Sequence, residues 1–291
     1  MNGIIIVNKP KDITSHDVVD KMRRILCLRS IGHAGTLDPI ATGVLPILVG
    51  GATKVSKYLM EHDKEYIVTL RLGYKTDTGD TTGEEIERVE VPKSIFDEEN
   101  IKDILESFIG KQEQTPSMYS AIKIKGKKLY EYARAGETVE VPKRMIEIYR
   151  VDLMDMNEEA HEIKYRVQCS KGTYMRSLCE DIAKELGTIG TMSDLVRTKA
   201  GEFSIDNVID LSTLERMSIE EIKRVIIPIE TSFNKYGEIK FKTDNELRMF
   251  LNGMRSIYKQ KSGVYRIYDK NEKFIGIGTI SNGLLKRDVV L

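Results

Sequence analysis

Three side chains in this sequence are of types that could do chemistry together. Asp38 lies in a glycine-punctuated loop, Gly32-His33-Ala34-Gly35-Thr36-Leu37-Asp38-Pro39, where a polar side chain is displayed rather than packed. Tyr66 opens one apolar strand, and Arg176 follows another. A carboxylate, a phenol and a guanidinium can act as nucleophile or base, proton relay and anion-holding cation. Each also has an ordinary alternative, since aspartate before proline often forms a turn, tyrosine often packs at a core edge, and arginine is often a surface cation.

Other common kinds of site are missing from the sequence. It has no GxxxxGK[ST] phosphate loop and no HExxH zinc motif, and His16, His33, His62 and His161 lie far apart without metal-ligand spacing. We therefore expect no cofactor and no metal. The run Asp77-Thr78-Gly79-Asp80 is similar to phosphoryl-acceptor and calcium loops, but it lacks the alternating oxygen ligands, so a capped turn is favoured.

Regular elements on either side of the three residues must position them. Hydrophobic periodicity and capping signals predict a helix that starts at the Thr14/Asp17 capping box and carries Leu26 on its apolar face. The other predicted elements are strands and helices of ordinary length: strands Ile4–Val7, Glu65–Leu72 and Ile163–Cys169, and helices Thr53–Met60, Ile101–Ile109 and Ser177–Leu186. This pattern favours an α+β fold with a mixed, mainly antiparallel sheet flanked by helices.

The amino-acid composition limits the classes of protein to which the chain can belong. The chain has 291 residues and 41% hydrophobic content, enough for one large domain and a small one. No apolar run approaches the roughly 20 residues of a membrane helix. Cys27, Cys169 and Cys179 are an odd number without CxxC spacing, which predicts small buried hydrophobes rather than disulfides. We expect a cytoplasmic protein without a membrane anchor.

Charge is balanced overall but unevenly distributed. Lys plus Arg and Asp plus Glu both total 45, yet residues 1–60 and 236–291 are basic whereas residues 77–106 are acidic. The segment from about 111 to 150 interleaves Tyr119, Tyr130 and Tyr132 with lysines, a composition typical of a nucleic-acid surface. Hairpin strands with solvated lysines explain that composition equally well.

Beyond Pro228 the pattern changes to short strands with one helix at Asp244–Leu251. Val264–Tyr268 and Phe274–Ile280 alternate around a turn at Asp269–Lys273. Residues 236–291 are therefore predicted to form a small, mostly β domain.

Sequence blocks resemble one known family. The segment from Gly32 to Pro46 resembles the catalytic motif of the TruB family of tRNA pseudouridine synthases. Similar blocks follow in the family's order over most of residues 3 to 200: Val7–Pro10, Asp63–Tyr66, Arg71–Gly73, Thr76–Thr78, Pro116–Ala121, Gly126–Arg134 and Cys169–Arg176. The C-terminal region is similar to the family's PUA-type RNA-binding domain in position and strand pattern only.

The resemblance implies a role for each residue that it matches. Asp38 stands at the position of the catalytic aspartate and Arg176 at that of its partner arginine, while Tyr66 and Tyr174 resemble the tyrosines that line the uridine pocket. A set of further residues is expected to contact the substrate: His33, Leu195, Lys9 and Lys171. The implied domains are a catalytic domain over residues 1–232, with an inserted RNA-binding segment at about 111–150, and a PUA-like domain over 236–291.

The resemblance also implies the substrate, uridine 55 in the T-loop of tRNA, which is flipped out of its stack before reaction. We expect a monomer that acts without a guide RNA. Two alternatives remain: a guide-dependent synthase resembling dyskerin, and an RNA binder or tRNA-folding chaperone in which the aspartate is idle. The block between Ser117 and Arg134 resembles the stand-alone bacterial type.

Overall fold

The computed structural model describes residues 1–120 and 122–291. The α-helices are α1 Ser15–Leu26, α2 Ser56–Met60, α3 Glu98–Ser107, α4 Leu129–Arg134, α5 Met175–Glu185, α6 Leu211–Leu214, α7 Ile219–Val225 and α8 Asp244–Leu251. The strands up to the end of the inserted segment are β1 Gly3–Lys9, β2 Ile31–His33, β3 Thr42–Val49, β4 Lys64–Leu72, β5 Tyr74–Thr76, β6 Glu85–Arg88, β7 Gly110–Gln114, β8 Lys123–Ile124 and β9 Lys127–Lys128. The later strands are β10 Arg144–Asn157, β11 Glu162–Cys169, β12 Gly190–Ala200, β13 Phe203–Ser204, β14 Ile209–Asp210, β15 Gly237–Lys240, β16 Ser256–Ile257, β17 Gly263–Tyr268, β18 Phe274–Ser281 and β19 Leu284–Val290.

One large mixed sheet forms the body of the protein. Its strands run in the order β14-β1-β3-β12-β4-β11-β10-β7, with β2 joined to β3 and β13 joined to β12. The β1–β14 and β3–β12 pairs are parallel, and the other pairs are antiparallel. The predicted fold class, a mainly antiparallel mixed sheet with flanking helices and a small β domain, is confirmed.

Both faces of this sheet are covered. Successive residues of a strand point to opposite faces, and in β1 the side chains of Ile5 and Val7 join one hydrophobic core while those of Ile4 and Ile6 join another. The first core is closed by α1, α3 and α5. The second core includes Phe233 and reaches into the C-terminal residues. A strand buried on both sides has a continuous apolar sequence, as Ile4–Val7 does.

Several helices and strands lie where capping residues and hydrophobic periodicity predict them. Thr14 caps α1, and the reciprocal bonds between Thr14 and Asp17 form the capping box expected there. β4 alternates buried and half-buried residues, with Tyr66, Val68 and Leu70 on the buried face, as predicted. Helix α8 has the predicted bounds and is capped by Thr243.

The C-terminal residues form a second, five-stranded sheet in the order β15-β17-β18-β19-β16. β17 and β18 form the predicted hairpin. The side chains of Ile277 and Val289 do not belong to the small sheet's own core. They pack with Phe233 in the second core of the large sheet. Lys57 and Tyr58 of α2 both bond the Asp288 carboxylate, so polar contacts reinforce the packing of the two sheets.

The segment predicted as an insertion begins and ends inside the large sheet. β7 and the first half of β10 pair with each other, so residues 110–114 and 144–148 belong to the body of the protein. Between them, β8, β9 and α4 form a small unit outside that sheet. Within the unit, Lys127 lies 4.4 Å from the ring centroid of Tyr132, and Lys128 lies 5.2 Å from that of Tyr130. Ala121, part of one resembling block, lies outside the described residues.

Two further expectations have clear outcomes. Cys169 and Cys179 are buried, as predicted, but Cys27 is exposed. Cys27 is the C-cap residue that follows α1 and adopts the left-handed conformation, with φ 50°, so it lies beyond the buried face of the helix. Among the described residues no helix is long and apolar enough to cross a membrane.

Candidate active site

Buried side chains hold the loop that carries Asp38 in position. Lys9 is fully buried, and its ammonium group donates to the carbonyl oxygens of Pro10, Pro39 and Ala41 at 2.8, 3.2 and 2.7 Å. Buried Ser15 both donates to the Leu37 carbonyl and accepts from the Leu37 N–H, at 3.0 and 2.8 Å. The backbone on either side of Asp38 is therefore held by buried hydrogen bonds.

A second buried cation holds the same loop from the sheet. Arg197 on β12 is 1% exposed, and its guanidinium donates to the carbonyls of Val44 at 2.7 Å, Gly35 at 3.0 Å and Thr36 at 3.3 Å. Gly43 has φ +97°, and a Cβ there would overlap the backbone carbonyl oxygen of Arg197. Only glycine fits this close approach of loop and strand.

The Asp38 carboxylate meets a third buried cation. Nε of Arg176 lies 3.0 Å from Asp38 Oδ2, and Nη2 donates to Oδ1 at 3.3 Å, so the pair is bidentate. Arg176 lies in the first turn of α5, after the loop that follows the end of β11 at Cys169. Its other donors bond the carbonyls of Thr78 and Tyr119, both at 2.8 Å, and Asp80 lies 3.8 Å away. The guanidinium is thereby fixed in one orientation.

Burial and neighbouring charges act in opposite directions on the Asp38 carboxyl. Burial raises its pKa above the ordinary value, and the Asp80 charge adds to that rise. The Arg176 guanidinium, and more weakly Lys9, lower the pKa again by favouring the charged form. One third of the Asp38 side chain remains exposed, and this part faces a cavity.

That cavity has a volume of about 300 Å³. Tyr66 on β4, Leu195 on β12 and Tyr174, the residue before α5, line it together with Asp38 and Arg176. The rings of Tyr66 and Tyr174 and the Leu195 side chain form apolar parts of its wall, and charged groups and Ser and Thr side chains form the rest. A pocket that combines flat apolar walls with placed polar groups suits a small planar polar ligand.

Tyr66 presents its phenol at the cavity wall in protonated form. Its side chain is 8% exposed, and burial raises its pKa, although the nearby Arg197 charge opposes that rise. A phenol in this state can pass a proton on but is a poor base by itself.

The other predicted substrate residues lie in different places. His33 is half-buried on β2, where it faces Ile47, and burial together with Arg197 lowers its pKa, so the imidazole is neutral near pH 7. Lys171 is exposed and pairs with Glu61. Lys9 was predicted to contact the substrate, but its donors are occupied by the loop carbonyls described above. In this structure Lys9 positions the loop that carries Asp38.

Sequence reasoning missed Arg197, Ser15 and Asp80 as parts of the site. A signal for Arg197 existed, because Leu195 and Arg197 are two residues apart and therefore share one face of a strand. Recognising that signal requires recognising β12, whose sequence Gly190–Ala200 mixes polar and apolar residues. Asp80 was assigned to a capped turn, and it does accept from Thr82 N–H and Thr78 Oγ1, but it also faces Arg176.

Metal-binding geometry is absent from the part of the chain that the structure describes. No group of three or more His, Cys, Asp or Glu side chains is arranged to hold an ion there.

Chains of solved protein and RNA–protein complexes share this fold. The chain superimposes on a chain of the crystal structure of a Cbf5-Nop10-Gar1 complex with a TM-score of 0.71 and 25% identity, covering 95% of this chain and 78% of that one. A chain of an H/ACA RNP bound to a substrate RNA containing 2′-deoxyuridine gives the same TM-score at 23% identity, covering 99% and 83%. The fold is therefore that of the Cbf5-like proteins.

Matches to family models and to curated relatives identify the protein family. The model of the TruB family pseudouridylate synthase N-terminal domain matches residues 23–175, and two TruB C-terminal models match 176–234 and 243–291. A tRNA pseudouridine synthase B from Caldanaerobacter subterraneus subsp. tengcongensis is 42% identical over 96% of this chain and 95% of that protein. One from Clostridium tetani is 43% identical with the same coverage. The chain belongs to the TruB family of pseudouridylate synthases, which are isomerases.

The buried Arg197 generates the first testable prediction. Arg197→Gln leaves carbonyl groups of the Asp38 loop without donors, so we expect the free energy of unfolding to fall by at least about 2 kcal/mol. Urea denaturation measures this change. Arg166→Gln, at an exposed arginine on β11 of the same sheet, is the matched control and should leave stability nearly unchanged. Equal effects of the two substitutions would contradict the loop-holding role of Arg197.

Proposed function

We propose that the chain isomerises uridine 55 in the T-loop of tRNA to pseudouridine, with Asp38 as the reacting carboxylate. One observation carries the proposal: a carboxylate held bidentately by a buried guanidinium opens into a pocket walled by Tyr66, Tyr174 and Leu195. The pocket's size and flat aromatic walls suit a uracil ring. Support for tRNA as substrate comes from relatives above 40% identity that carry the name tRNA pseudouridine synthase B.

The reaction needs little beyond this arrangement. Pseudouridine formation breaks the bond from C1′ to N1, turns the uracil over and joins C5 to C1′. Reactant and product have the same atoms and the same oxidation state, so the balance requires neither an oxidant nor a water molecule. An ionised carboxylate can attack the sugar, attack the base or remove the 2′ proton. Each of these routes requires Asp38 to be deprotonated while the cavity is filled.

Uridine must leave its stack to reach Asp38. Unstacking costs a few kcal/mol, and stacking on an aromatic side chain such as Tyr66 returns roughly 1 to 3 kcal/mol per base. His33 is the proposed wedge that fills the gap left in the RNA, and its neutral imidazole suits stacking. Lys171 at the exposed end of β11 and the unit between residues 115 and 143 are proposed to contact the RNA backbone.

A guide RNA is not part of this proposal. The chain is 25% identical to the matched protein of the Cbf5-Nop10-Gar1 complex, whereas it is 42–43% identical to synthase B relatives along nearly their whole length. This difference favours the stand-alone type. The PUA-like character of residues 236–291, the monomeric state and the cytoplasmic location are predictions that accompany it.

Removing the charge of Asp38 tests the chemistry directly. Asp38→Asn keeps the shape of the side chain, and we expect pseudouridine formation on unmodified tRNA to fall at least about a thousandfold because the reacting group is lost. Mapping pseudouridine after incubation measures the product, and a filter assay measures tRNA binding, which should persist. Asp206→Asn, an exposed site, is the control. If Asp38→Asn kept full activity, Asp38 would not be the reacting carboxylate. If neither protein formed pseudouridine while both bound tRNA, the chain would be an RNA binder or chaperone with an idle aspartate.

Tyr66→Phe separates stacking from proton transfer. The ring remains, so binding of RNA should be retained, while loss of the hydroxyl should lower the single-turnover rate by roughly a hundredfold or more if the phenol relays the C5 proton. Single-turnover assays at saturating protein measure that rate. An unchanged rate would remove Tyr66 from proton transfer and leave it only a stacking surface.

A further inference from the structure

Gln114 is a buried glutamine at the point where the large sheet ends and the inserted segment begins. It is the last residue of β7, an edge strand of that sheet, and it is 2% exposed. A buried amide needs hydrogen-bond partners for both its N–H groups and its oxygen. Gln114 precedes the block at Pro116–Ala121 that resembles the family, so the resemblance implies no role for it.

The amide group of Gln114 bonds both backbone groups of one distant residue. Its Oε1 accepts from the Tyr174 N–H at 2.8 Å, and its Nε2 donates to the Tyr174 carbonyl at 3.0 Å. The two residues are 60 positions apart in the sequence. Hydrogen-bonded residue pairs in an antiparallel sheet exchange the same two bonds. The side chain of Gln114 therefore takes the place of a neighbouring strand for Tyr174.

Tyr174 is the residue at which the loop after β11 becomes helix α5. Its backbone is extended, with φ −99° and ψ 113°, and its own side chain makes no capping bond. Its carbonyl also accepts from the Leu178 N–H, at 3.1 Å, in the first turn of the helix. Because Gln114 bonds the N–H and the carbonyl of Tyr174 together, it fixes the backbone from which α5 starts.

The start of α5 carries two groups of the candidate active site. The ring of Tyr174 lines the cavity, and Nε of Arg176 lies 3.0 Å from the Asp38 carboxylate. Arg176 is only two residues beyond Tyr174, so a shift of the helix start displaces both side chains. A displacement of about 1 Å in an active site can lower a rate about a hundredfold.

Two further hydrogen bonds join the inserted segment to the same helix turn. Ser177 Oγ donates to the Thr115 carbonyl at 2.9 Å, and Arg176 Nη2 donates to the Tyr119 carbonyl at 2.8 Å. The first residues of the segment are thus held against α5 at three places. Gln114 is the one of the three that contributes a side chain from the segment's side, so it can be replaced without changing the main chain.

We propose that Gln114 is a positioning residue for the reaction. It holds the Tyr174 ring in the cavity wall and, through the start of α5, the Arg176 guanidinium beside Asp38. This inference rests on the proposed function and deepens it. Gln114 does not line the described cavity, so it acts through Tyr174 and does not touch the uridine.

Replacing Gln114 separates positioning from RNA binding. Gln114→Met keeps an unbranched side chain of similar length and removes both bonds. We expect the single-turnover rate of pseudouridine formation at saturating protein to fall about tenfold or more. Binding of tRNA in a filter assay should be nearly unchanged, because phosphate contacts supply most of the affinity. The control is Gln112→Met on the same strand, whose Nε2 donates to the Phe108 carbonyl at 2.6 Å and which should keep the wild-type rate.

The Asp38 carboxyl reports the position of Arg176 in the protein without RNA. The Arg176 guanidinium lowers the Asp38 pKa, whereas burial and the Asp80 charge raise it. Gln114→Met should therefore raise the Asp38 pKa, as measured by carbon-13 NMR of labelled aspartate, and the control glutamine variant should leave it unchanged. A lower stability by itself would not change the pKa of the folded protein.

A milder substitution keeps the test decisive if Gln114→Met does not fold. Gln114→Glu retains the acceptor for the Tyr174 N–H and loses the donor to the Tyr174 carbonyl. Arg144 lies directly opposite on β10 and supplies a counter-charge for the new carboxylate. We expect the same two changes to a smaller extent, a lower single-turnover rate and a higher Asp38 pKa.

Three results would overturn the positioning role. They are an unchanged rate in the Gln114 variants, a lower rate with an unchanged Asp38 pKa, and equal losses of rate in the Gln114 and Gln112 variants. Failure of the proposed function is seen separately, as absence of pseudouridine after incubation of the wild-type protein with unmodified tRNA. In that case the titration of Asp38 would still decide whether Gln114 positions Arg176.

Discussion

The ion pair between Asp38 and Arg176 is the interaction on which the site depends. Burial alone would favour the neutral form of the Asp38 carboxyl, and a neutral carboxyl could neither attack nor accept a proton. Arg176 is 6% exposed in its side chain, and its remaining donors are bonded to the carbonyls of Thr78 and Tyr119, so it cannot easily turn away. The two side chains are 138 positions apart in the sequence, and the fold of the large sheet brings them together.

Two further buried cations hold the loop that carries Asp38 in position. Lys9 and Arg197 each donate hydrogen bonds to carbonyl groups of the segment from Gly35 to Val44. This arrangement satisfies backbone acceptors that could not reach water, and the Asp38 carboxylate, paired with Arg176, faces the cavity. Rigid support behind and an open face in front is the arrangement that a pre-organised reacting group requires.

Elements with strong local signals could be predicted from the sequence, and the site could be predicted only in part. The Thr14 capping box, the alternation of β4 and the helix at Asp244–Leu251 depend on neighbouring residues, so their bounds were close to the observed ones. β12 depends on pairing with β3 and β4, which are far away in the chain, and its mixed composition carries no such signal. Asp38 by itself resembles an ordinary turn residue, and the resemblance to a known family was needed to single it out. Ser15 acts through contacts with the loop backbone, which no spacing of residues reveals, and the two-residue spacing of Leu195 and Arg197 is informative only once β12 is recognised as a strand.

Titration of the Asp38 carboxyl tests the central claim most directly. Carbon-13 NMR of labelled aspartate, with Asp38→Asn to assign the signal, follows this group in the wild type and in Arg176→Gln. Because the Arg176 guanidinium opposes the effect of burial, the pKa of the Asp38 carboxyl should rise further in Arg176→Gln, whereas the exposed-site control Arg166→Gln should leave it unchanged. An Asp38 pKa that stays the same or falls when Arg176 is replaced would contradict the account.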